Sequence, residues 1–340
     1  MGDSTLARTK IILITDAWHP QVNGVVTTYT NIINNLPVDV TVDIIEPSLF
    51  NGFNFPLYKN IKIPYCSQNK MKKILYEKKV YYNNQGYDVR YHISTEGVLG
   101  YHARCILHKE NIPYTTAYHT KFPEFLEIMY NIPVRYTSWY FDWFHKNSKY
   151  VLCSSYSNSI EHSDWNSVVL DKGYDSVYTF NNKKPSTHKT LLYVGRVSKE
   201  KNIDEFCELD ILHTNKIVVG DGPYRKTLEK KYTDVEFVGY KFGVELAEYY
   251  RNSDVLVFPS TVDTYGIVML EAMACGTPCA GYNVTGPKDQ IKNGINGYTD
   301  TDLELAVEMA LEVDRYSTYN SVKDKNWVHS ANQFVGYITA

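Results

Sequence analysis

Short β-branched and aliphatic runs alternate with amphipathic helical patterns along almost the whole chain, and no other feature restricts its fold so strongly. KIILITD (10–16) reads as a buried strand. Val25, Tyr29, Ile32, Ile33 and Leu36 then recur at helical spacing in GVVTTYTNIINNL (24–36), and VDVTVDIIEP (38–47) is a strand again. The rhythm continues with a strand at 87–94, a helix at 97–111, a strand at 114–120, a helical aromatic region at 123–147 and a strand at 150–155. It breaks at FNNKKPSTHKT (180–190), which is polar and has no period. It restarts with strands at 191–197, 216–222, 235–240, 255–260 and 278–282, helices at 224–232, 244–253 and 264–275, and a helical tail from about 303. Such alternation builds parallel βαβ units. The expectation is an α/β protein of two doubly wound, Rossmann-like domains. The first spans 1–180, a linker 181–190 and the second domain 191–315. A C-terminal helix over 316–340 packs back toward the first domain. A chain of 340 residues is long enough to give each domain its own core. In doubly wound sheets ligands bind at the carboxyl ends of the strands, and with two domains the cleft between them is the expected site.

Bulk properties narrow the partners. A net charge of −3 argues against a molecule built to coat nucleic acid. The six cysteines are scattered, form no C-x-x-C pair and have no histidine cluster beside them, which favours reduced thiols in a cytoplasmic protein over a zinc site. The apolar run near the N-terminus is too short and too β-branched for a signal segment. Leu6 stands where a myristoylation motif needs Ser or Thr, and no apolar run reaches transmembrane length. NKMKKILYEKKVYY (69–82) carries five lysines with Met71, Ile74, Leu75 and Val80. It reads as an ordinary helix with a solvated lysine face, or as one lying on the inner face of an anionic membrane.

Several polar residues fall at strand ends. In DTYGIVMLEAMACGTP (263–278), Asp263 precedes a helical run and Glu271 lies eight residues later among apolar neighbours. Burying an ionised carboxylate costs several kcal/mol unless it is hydrogen-bonded, so Glu271 needs a protein or ligand partner. Asp263 by itself also reads as a helix cap, with Thr264 as the competitor. GRVSKEKN (195–202) puts Arg196 and Lys201 on the loop after a strand, where a planar fork and a point charge suit a diphosphate, or where both are simply solvated. Gly24 opens the first helix and either makes a tight turn or lets backbone amides approach an anion. Gly220–Pro223 reads as a turn, or as a turn lying near a ligand. His119 ends a first-domain strand, as a structural histidine or as one facing a ligand.

Taken together these segments resemble the family 4 retaining glycosyltransferases, which have the GT-B fold. FPSTVDTYGIVMLEAMACGTP (258–278) is similar to their E-x7-E region and WHPQVNGVVTT (18–28) to a P-Q-x-N-G-V-V-R-T segment. STEGVLGYHAR (94–104) is similar to T-E-G-P-x-G-x-x-A-R, YHTKFPEFL (118–126) to H-T-x-F-P-E-Y, and VGRVSKEKNID (194–204) to G-R-x-x-x-E-K-N. VTGPKDQI (284–291) and GYTDTDLELAVEMAL (297–311) also fit, in order. The subgroup most similar is that of GDP-mannose-dependent α-mannosyltransferases. The resemblance implies transfer of a hexose, mannose or glucose, with retention, from a nucleotide-diphosphate sugar to a glycan, lipid or other hydroxyl acceptor. A GDP-sugar is the first expectation for the donor and a UDP-sugar the second. No metal and no bound cofactor are implied. It assigns Glu271 to the ribose hydroxyls, Asp263 to the sugar hydroxyls and His119 to the transferred sugar. Gly24, Arg196 and Lys201 go to the diphosphate, and Tyr265, Gly266, Ile267 and Val268 supply backbone contacts. Three positions depart from the pattern: Asp263 for Glu, Tyr265 for Phe and Thr28 for Arg. Residues 50–86 match least. The competing readings are a sugar-nucleotide epimerase, a phosphorylase (for which no pyridoxal-binding lysine can be placed) and a non-catalytic sugar-nucleotide-binding protein. A modified-DNA acceptor is disfavoured by the acidic net charge. The sequence does not set the oligomeric state.

Overall fold

In the computed structural model the chain divides into two compact units. One comprises Met1–His119, Val134–Lys172 and Trp327–Ala340; the other comprises Thr120–Pro133 and Gly173–Asn326. The structure describes residues 8–55, 58–162, 164–181, 183 and 187–340. Leu6 and the Pro185 portion of the expected linker lie outside the described residues.

The first unit is built on strands β1 (Thr9–Ile14), β2 (Val40–Ile45), β5 (Asp88–Ile93), β6 (Thr115–Tyr118), β7 (Val151–Cys153) and β8 (Ser167–Val169), with a small antiparallel hairpin of β3 (Gly52–Phe55) and β4 (Tyr58–Pro64). The main sheet runs β2-β1-β5-β6-β7-β8 and is parallel throughout. Ile11, Ile12, Leu13 and Ile14 are all buried, as expected of a strand covered on both faces. The strand order reverses between β1 and β5. Asp16, just beyond β1, fills that point by accepting from the amides of Leu99 (2.8 Å) and Gly100 (3.2 Å) at the start of the helix Val98–Lys109. A Cβ on Gly97 would meet the Asp16 carboxyl carbon at 2.5 Å, so the glycine of the STEG segment is the one residue that leaves room for this carboxylate.

The lysine-rich stretch forms the helix Gln68–Asn84, whose Met71 and Leu75 are buried in the first unit's core. Lys72 pairs with Glu110 (2.7 Å) and Lys78 with Asp43 (2.6 Å). Val80 is exposed, so the apolar side of this helix is largely spent on the core.

The second unit is a parallel sheet of β9 (Lys189–Val194), β10 (Thr214–Val219), β11 (Val235–Gly239), β12 (Val255–Phe258), β13 (Cys279–Tyr282) and β14 (Gly297–Asp300), in the order β11-β10-β9-β12-β13-β14. The order reverses between β9 and β12, so the loops after these two strands meet at the switch point.

Three expectations about organisation need correction. The units divide at Lys172/Gly173 rather than at 180, because Tyr174, Val177 and Tyr178 pack on the second unit's core. The polar stretch at 180–190 marks a change of composition and not the crossing point. The helical aromatic region is two helices, Phe122–Tyr130 and Ser138–His145, which belong to different units. Thr120 bridges to Asp263 and ties the first of these to the second unit. The tail from 316 is not one helix: Arg315–Asn320 belongs to the second unit, and only Trp327–Thr339 packs in the first, against the helix Gly24–Asn34.

Candidate active site

The switch point of the second sheet gathers most of the residues singled out in the sequence. Lys201, in a 3-10 turn after β9, places its Nζ 2.5 Å from Asp263 Oδ1, on the loop after β12. Burial opposes the charge on Asp263. The ammonium of Lys201, with the Ser260 hydroxyl and Arg196 nearby, outweighs it and holds the carboxyl below its ordinary range. Arg196 lies 3.9 Å from Glu200, and the Tyr193 hydroxyl donates to the Arg196 carbonyl at 2.8 Å. The glycines of the GDGP turn permit close packing here. A Cβ on Gly220 would fall 1.8 Å from the Gly195 carbonyl oxygen, and one on Gly222 would fall 2.2 Å from that of Val197.

The helix that follows runs Ile267–Ala274, not 264–275. Its N-cap is Gly266, with φ of +80°, and no side chain caps it. Asp263 and Thr264 are therefore not its caps: the chain needs the left-handed conformation of Gly266 to enter the helix, and Asp263 is engaged by Lys201. A Cβ on Gly266 would lie 2.6 Å from a Phe258 ring carbon and 2.8 Å from the Met269 methyl. Gln290 donates to the Tyr265 carbonyl and steadies the turn. The result is a set of first-turn amides, those of Ile267 and Val268 among them, without a capping oxygen.

Glu271 has protein partners that the sequence did not supply. Tyr250 donates its hydroxyl to Oε2 at 2.8 Å, and the Tyr178 hydroxyl faces the same carboxylate. Burial nevertheless pushes the carboxyl up to about 7, with the two tyrosines pulling the other way. The buried charge of Glu271 is thus answered in part by two phenols and not by a cation.

In the first unit Gly24 is exposed and opens the helix Gly24–Asn34, with open space where a Cβ would stand. The amides of Val25 and Val26 already donate to Asn23 Oδ1, each at 3.0 Å. Thr28 is buried in this helix. His119, just beyond β6, has Nε2 3.0 Å from the Tyr29 hydroxyl and Nδ1 3.2 Å from Ser154 Oγ. Burial, then the charges of Lys172, His92 and His145, hold its pKa well below the ordinary value, so the ring is neutral at physiological pH. The sequence reading missed Tyr29, His92 and Lys172. Tyr29 was noted only as one apolar position of a helix, and nothing at the level of spacing joins it to two histidines.

Among the described residues no group of three or more His, Cys, Asp or Glu is placed to hold a metal ion. No helix of the described residues is long and apolar enough to cross a membrane.

The switch point of this parallel sheet thus brings together two cations, a paired carboxylate and helix amides without a side-chain cap, the kind of place where α/β domains hold anionic ligands. Residues 176–302 match the family described as Glycosyl transferases group 1, and the chain carries a domain of that family. Among curated proteins it is similar to the GDP-mannose-dependent alpha-mannosyltransferase of Corynebacterium glutamicum, 33% identical over 183 residues, covering 49% of this chain and 41% of the relative. It is also similar to the sulfoquinovosyl transferase of Arabidopsis thaliana, 27% identical over 241 residues, covering 61% of this chain and 45% of that protein. The chain thus spans less than half the length of either relative. Among solved structures, sucrose-phosphate synthase from Thermosynechococcus elongatus superposes with a TM-score of 0.74 at 18% identity, covering 97% of this chain and 98% of the other. Anabaena HepE in complex with UDP and glucose gives 0.68 at 15% identity, covering 97% and 99%. These likenesses establish the fold, two Rossmann-like domains of the GT-B type.

Proposed function

We propose that the chain is a retaining, metal-independent glycosyltransferase that moves a hexose from a nucleotide-diphosphate sugar to a hydroxyl acceptor on a glycan or lipid. The observation that carries this reading is the second unit's switch point, where Lys201 is held on Asp263 beside Arg196 and an uncapped helix start. In this reading Arg196, Lys201 and the amides of Ile267 and Val268 face the diphosphate and neutralise charge as it grows on the leaving group. An ammonium has three donors, so Lys201 serves Asp263 and a phosphate oxygen at once. Asp263 takes a sugar hydroxyl, Glu271 the ribose hydroxyls, and Tyr265 and Gly266 line the same turn through their backbone. In the first unit His119, neutral, orients the transferred sugar, and Gly24 leaves room for a phosphate.

Retention follows if the acceptor attacks from the face the diphosphate leaves, with a phosphate oxygen taking the acceptor proton. No side-chain nucleophile is then required. Likeness to a GDP-mannose-dependent enzyme favours a GDP-sugar, with mannose the first choice; the UDP complex of HepE keeps UDP-sugars as the second. Peripheral membrane contact would have to rest on Lys70, Lys79, Tyr76 and Tyr81, because Met71 and Leu75 are buried.

The test is a thermal-shift screen against GDP-, UDP-, ADP- and CDP-sugars, since a ligand that binds only the folded state raises the melting temperature. The preferred donor is then followed by product analysis with simple glycoside acceptors. A donor that stabilises the protein but is neither hydrolysed nor transferred would overturn the enzymatic reading. A product of inverted anomeric configuration would overturn retention.

A further inference from the structure

The interior of the first unit holds a chain of polar side chains that ends at His119. Thr115 Oγ1 lies 2.8 Å from His92 Nδ1; His92 Nε2 lies 2.6 Å from the Tyr29 hydroxyl; that hydroxyl lies 3.0 Å from His119 Nε2; and His119 Nδ1 lies 3.2 Å from Ser154 Oγ. Tyr29 and His92 are fully buried, and Phe334 packs edge-on against both rings. The groups facing the two imidazoles are Tyr29, Thr115, Ser154, His145 and the buried Lys172, whose Nζ has no hydrogen-bond partner among the described residues. Burial and the Lys172 charge keep both rings neutral, with His92 lowered to about 3. Each ring therefore carries one N–H and one lone pair.

One phenolic hydroxyl stands between two Nε2 atoms. It can donate to only one of them, so the other must donate to the phenolic oxygen if both short contacts are to be hydrogen bonds. The two histidines are then forced into opposite tautomers. Hydroxyl donors make shorter bonds than N–H donors. The 2.6 Å contact to His92 is thus the one Tyr29 donates, and the 3.0 Å contact is donated by His119 Nε2–H. His92 carries its proton on Nδ1 and donates to Thr115. His119 Nδ1 is the acceptor face, toward Ser154.

We propose that Tyr29 is a positioning residue whose single hydroxyl locks His92 and His119 into opposite tautomers: His119 keeps its N–H on Tyr29 and turns its acceptor Nδ1 toward Ser154, so that a sugar hydroxyl taking the place of the Ser154 hydroxyl meets an acceptor and not a donor. The assignment deepens the proposed function, because it rests on His119 meeting the sugar. It is tested without any ligand. The full chain, labelled with 15N at histidine, is examined by long-range 15N–1H spectra at pH 7.5, with His92→Asn and His119→Asn supplying the assignments. The expected result is an Nδ1–H ring at His92 and an Nε2–H ring at His119. Thr115→Val removes the acceptor for His92 Nδ1–H and is expected to invert both rings together, the effect reaching His119 through His92 and Tyr29. Tyr29→Phe should leave His119 a mixture of tautomers. The same tautomer at both wild-type positions, or a His119 signal unmoved in Thr115→Val, would overturn the lock.

A second arm uses GDP-mannose and UDP-glucose as donor probes. Tyr29→Phe should lower kcat roughly 10–100-fold, the range for partners that orient an active imidazole, with donor KM little changed. If the wild type neither hydrolyses nor transfers a donor that stabilises it, the proposed function fails while the spectra still decide the tautomer lock.

Discussion

Glu271→Gln should make the protein more stable and its nucleotide binding weaker, and the two effects have separate physical origins. Burial pushes the Glu271 carboxyl from 4.5 to about 7 despite the hydroxyls of Tyr250 and Tyr178. A group whose folded pKa is raised costs nothing while it stays protonated. The cost appears as pH rises from about 4.5 and is complete above about 7, where it amounts to roughly 3 kcal/mol. Glutamine keeps an oxygen for one phenol and offers an N–H₂ to the other, so it retains the packing without the buried charge. At pH 8 the variant should melt several degrees higher than the wild type, and at pH 5 the two should melt together. Nucleotide binding moves the other way. Ribose hydroxyls donate to the ionised carboxylate, and hydrogen bonds to a charged group contribute about 1.5–3 kcal/mol. Losing them should raise the Kd about 10–150-fold.

The same carboxyl makes wild-type binding depend on pH. Below about 7 the folded protein holds a proton on Glu271 that a ribose diol must displace. Affinity should therefore fall toward tenfold per pH unit as pH drops from 7 to 5, with proton release visible as a buffer-dependent heat in calorimetry. Glu271→Gln should abolish both the slope and the proton release. A folded variant with wild-type affinity, or a wild-type affinity that is flat between pH 5 and 8, would refute the reasoning that joins this carboxylate to the ribose.

Arg196→Ala and Lys201→Ala should each lower kcat by roughly 10²–10³ in single-turnover transfer from the preferred donor, as loss of a transition-state charge partner does elsewhere; full activity in both would return them to a structural role. Lys201→Ala should in addition melt earlier than Arg196→Ala, because it strands the Asp263 carboxylate. Single-turnover transfer should survive EDTA, and loss of the chemical step restored by Mg²⁺ or Mn²⁺ would show that the diphosphate charge is neutralised by other means. Gly97→Ala should destabilise the first unit by about 2 kcal/mol or more, since the added carbon displaces Asp16 from the amides it satisfies; a melting curve unchanged from wild type would show that Asp16 can move.

The layered α/β architecture was legible because buried parallel strands such as β1 and β12 are continuous β-branched or aliphatic runs, and the helices between them carry their apolar residues at helical spacing. The positions at the second switch point were legible for the same reason: Arg196, Lys201 and Asp263 follow the ends of strands that the pattern reveals. What could not be read was pairing between distant residues. Nothing in the sequence ties Lys201 to Asp263, or Tyr250 and Tyr178 to Glu271, since such partners depend on which strand ends become neighbours. The unit boundary was misplaced because composition marks solvated stretches, whereas membership in a core is decided by residues such as Tyr178, which reads no differently from the chain's other tyrosines. The hairpin β3–β4 was not anticipated, in a segment that also matches the family least.

The two sheets are both parallel but differ in strand order, and their switch points end in opposite ways. In the first unit both helix starts nearest the reversal are already supplied with side-chain oxygens. Asp16 takes the amides of Leu99 and Gly100, and Asn23 takes those of Val25 and Val26. An anion approaching either would have to displace a bonded oxygen, and Asp16 would also repel it. In the second unit Gly266 has no side chain to offer, Asp263 is paired with Lys201, and Glu200 lies 3.9 Å from Arg196. The positive end of that helix dipole is left for a ligand, with Arg196 and Lys201 adding to it. Two parallel α/β sheets of different strand order thus have a sealed switch point and an open one, and the difference rests on an aspartate in one loop and a glycine in the other. Under the proposed function, a diphosphate should therefore draw its principal electrostatic stabilisation from the second unit. At the start of the Gly24–Asn34 helix at most the Gly24 amide is left for an anion, because the next two amides are bonded to Asn23.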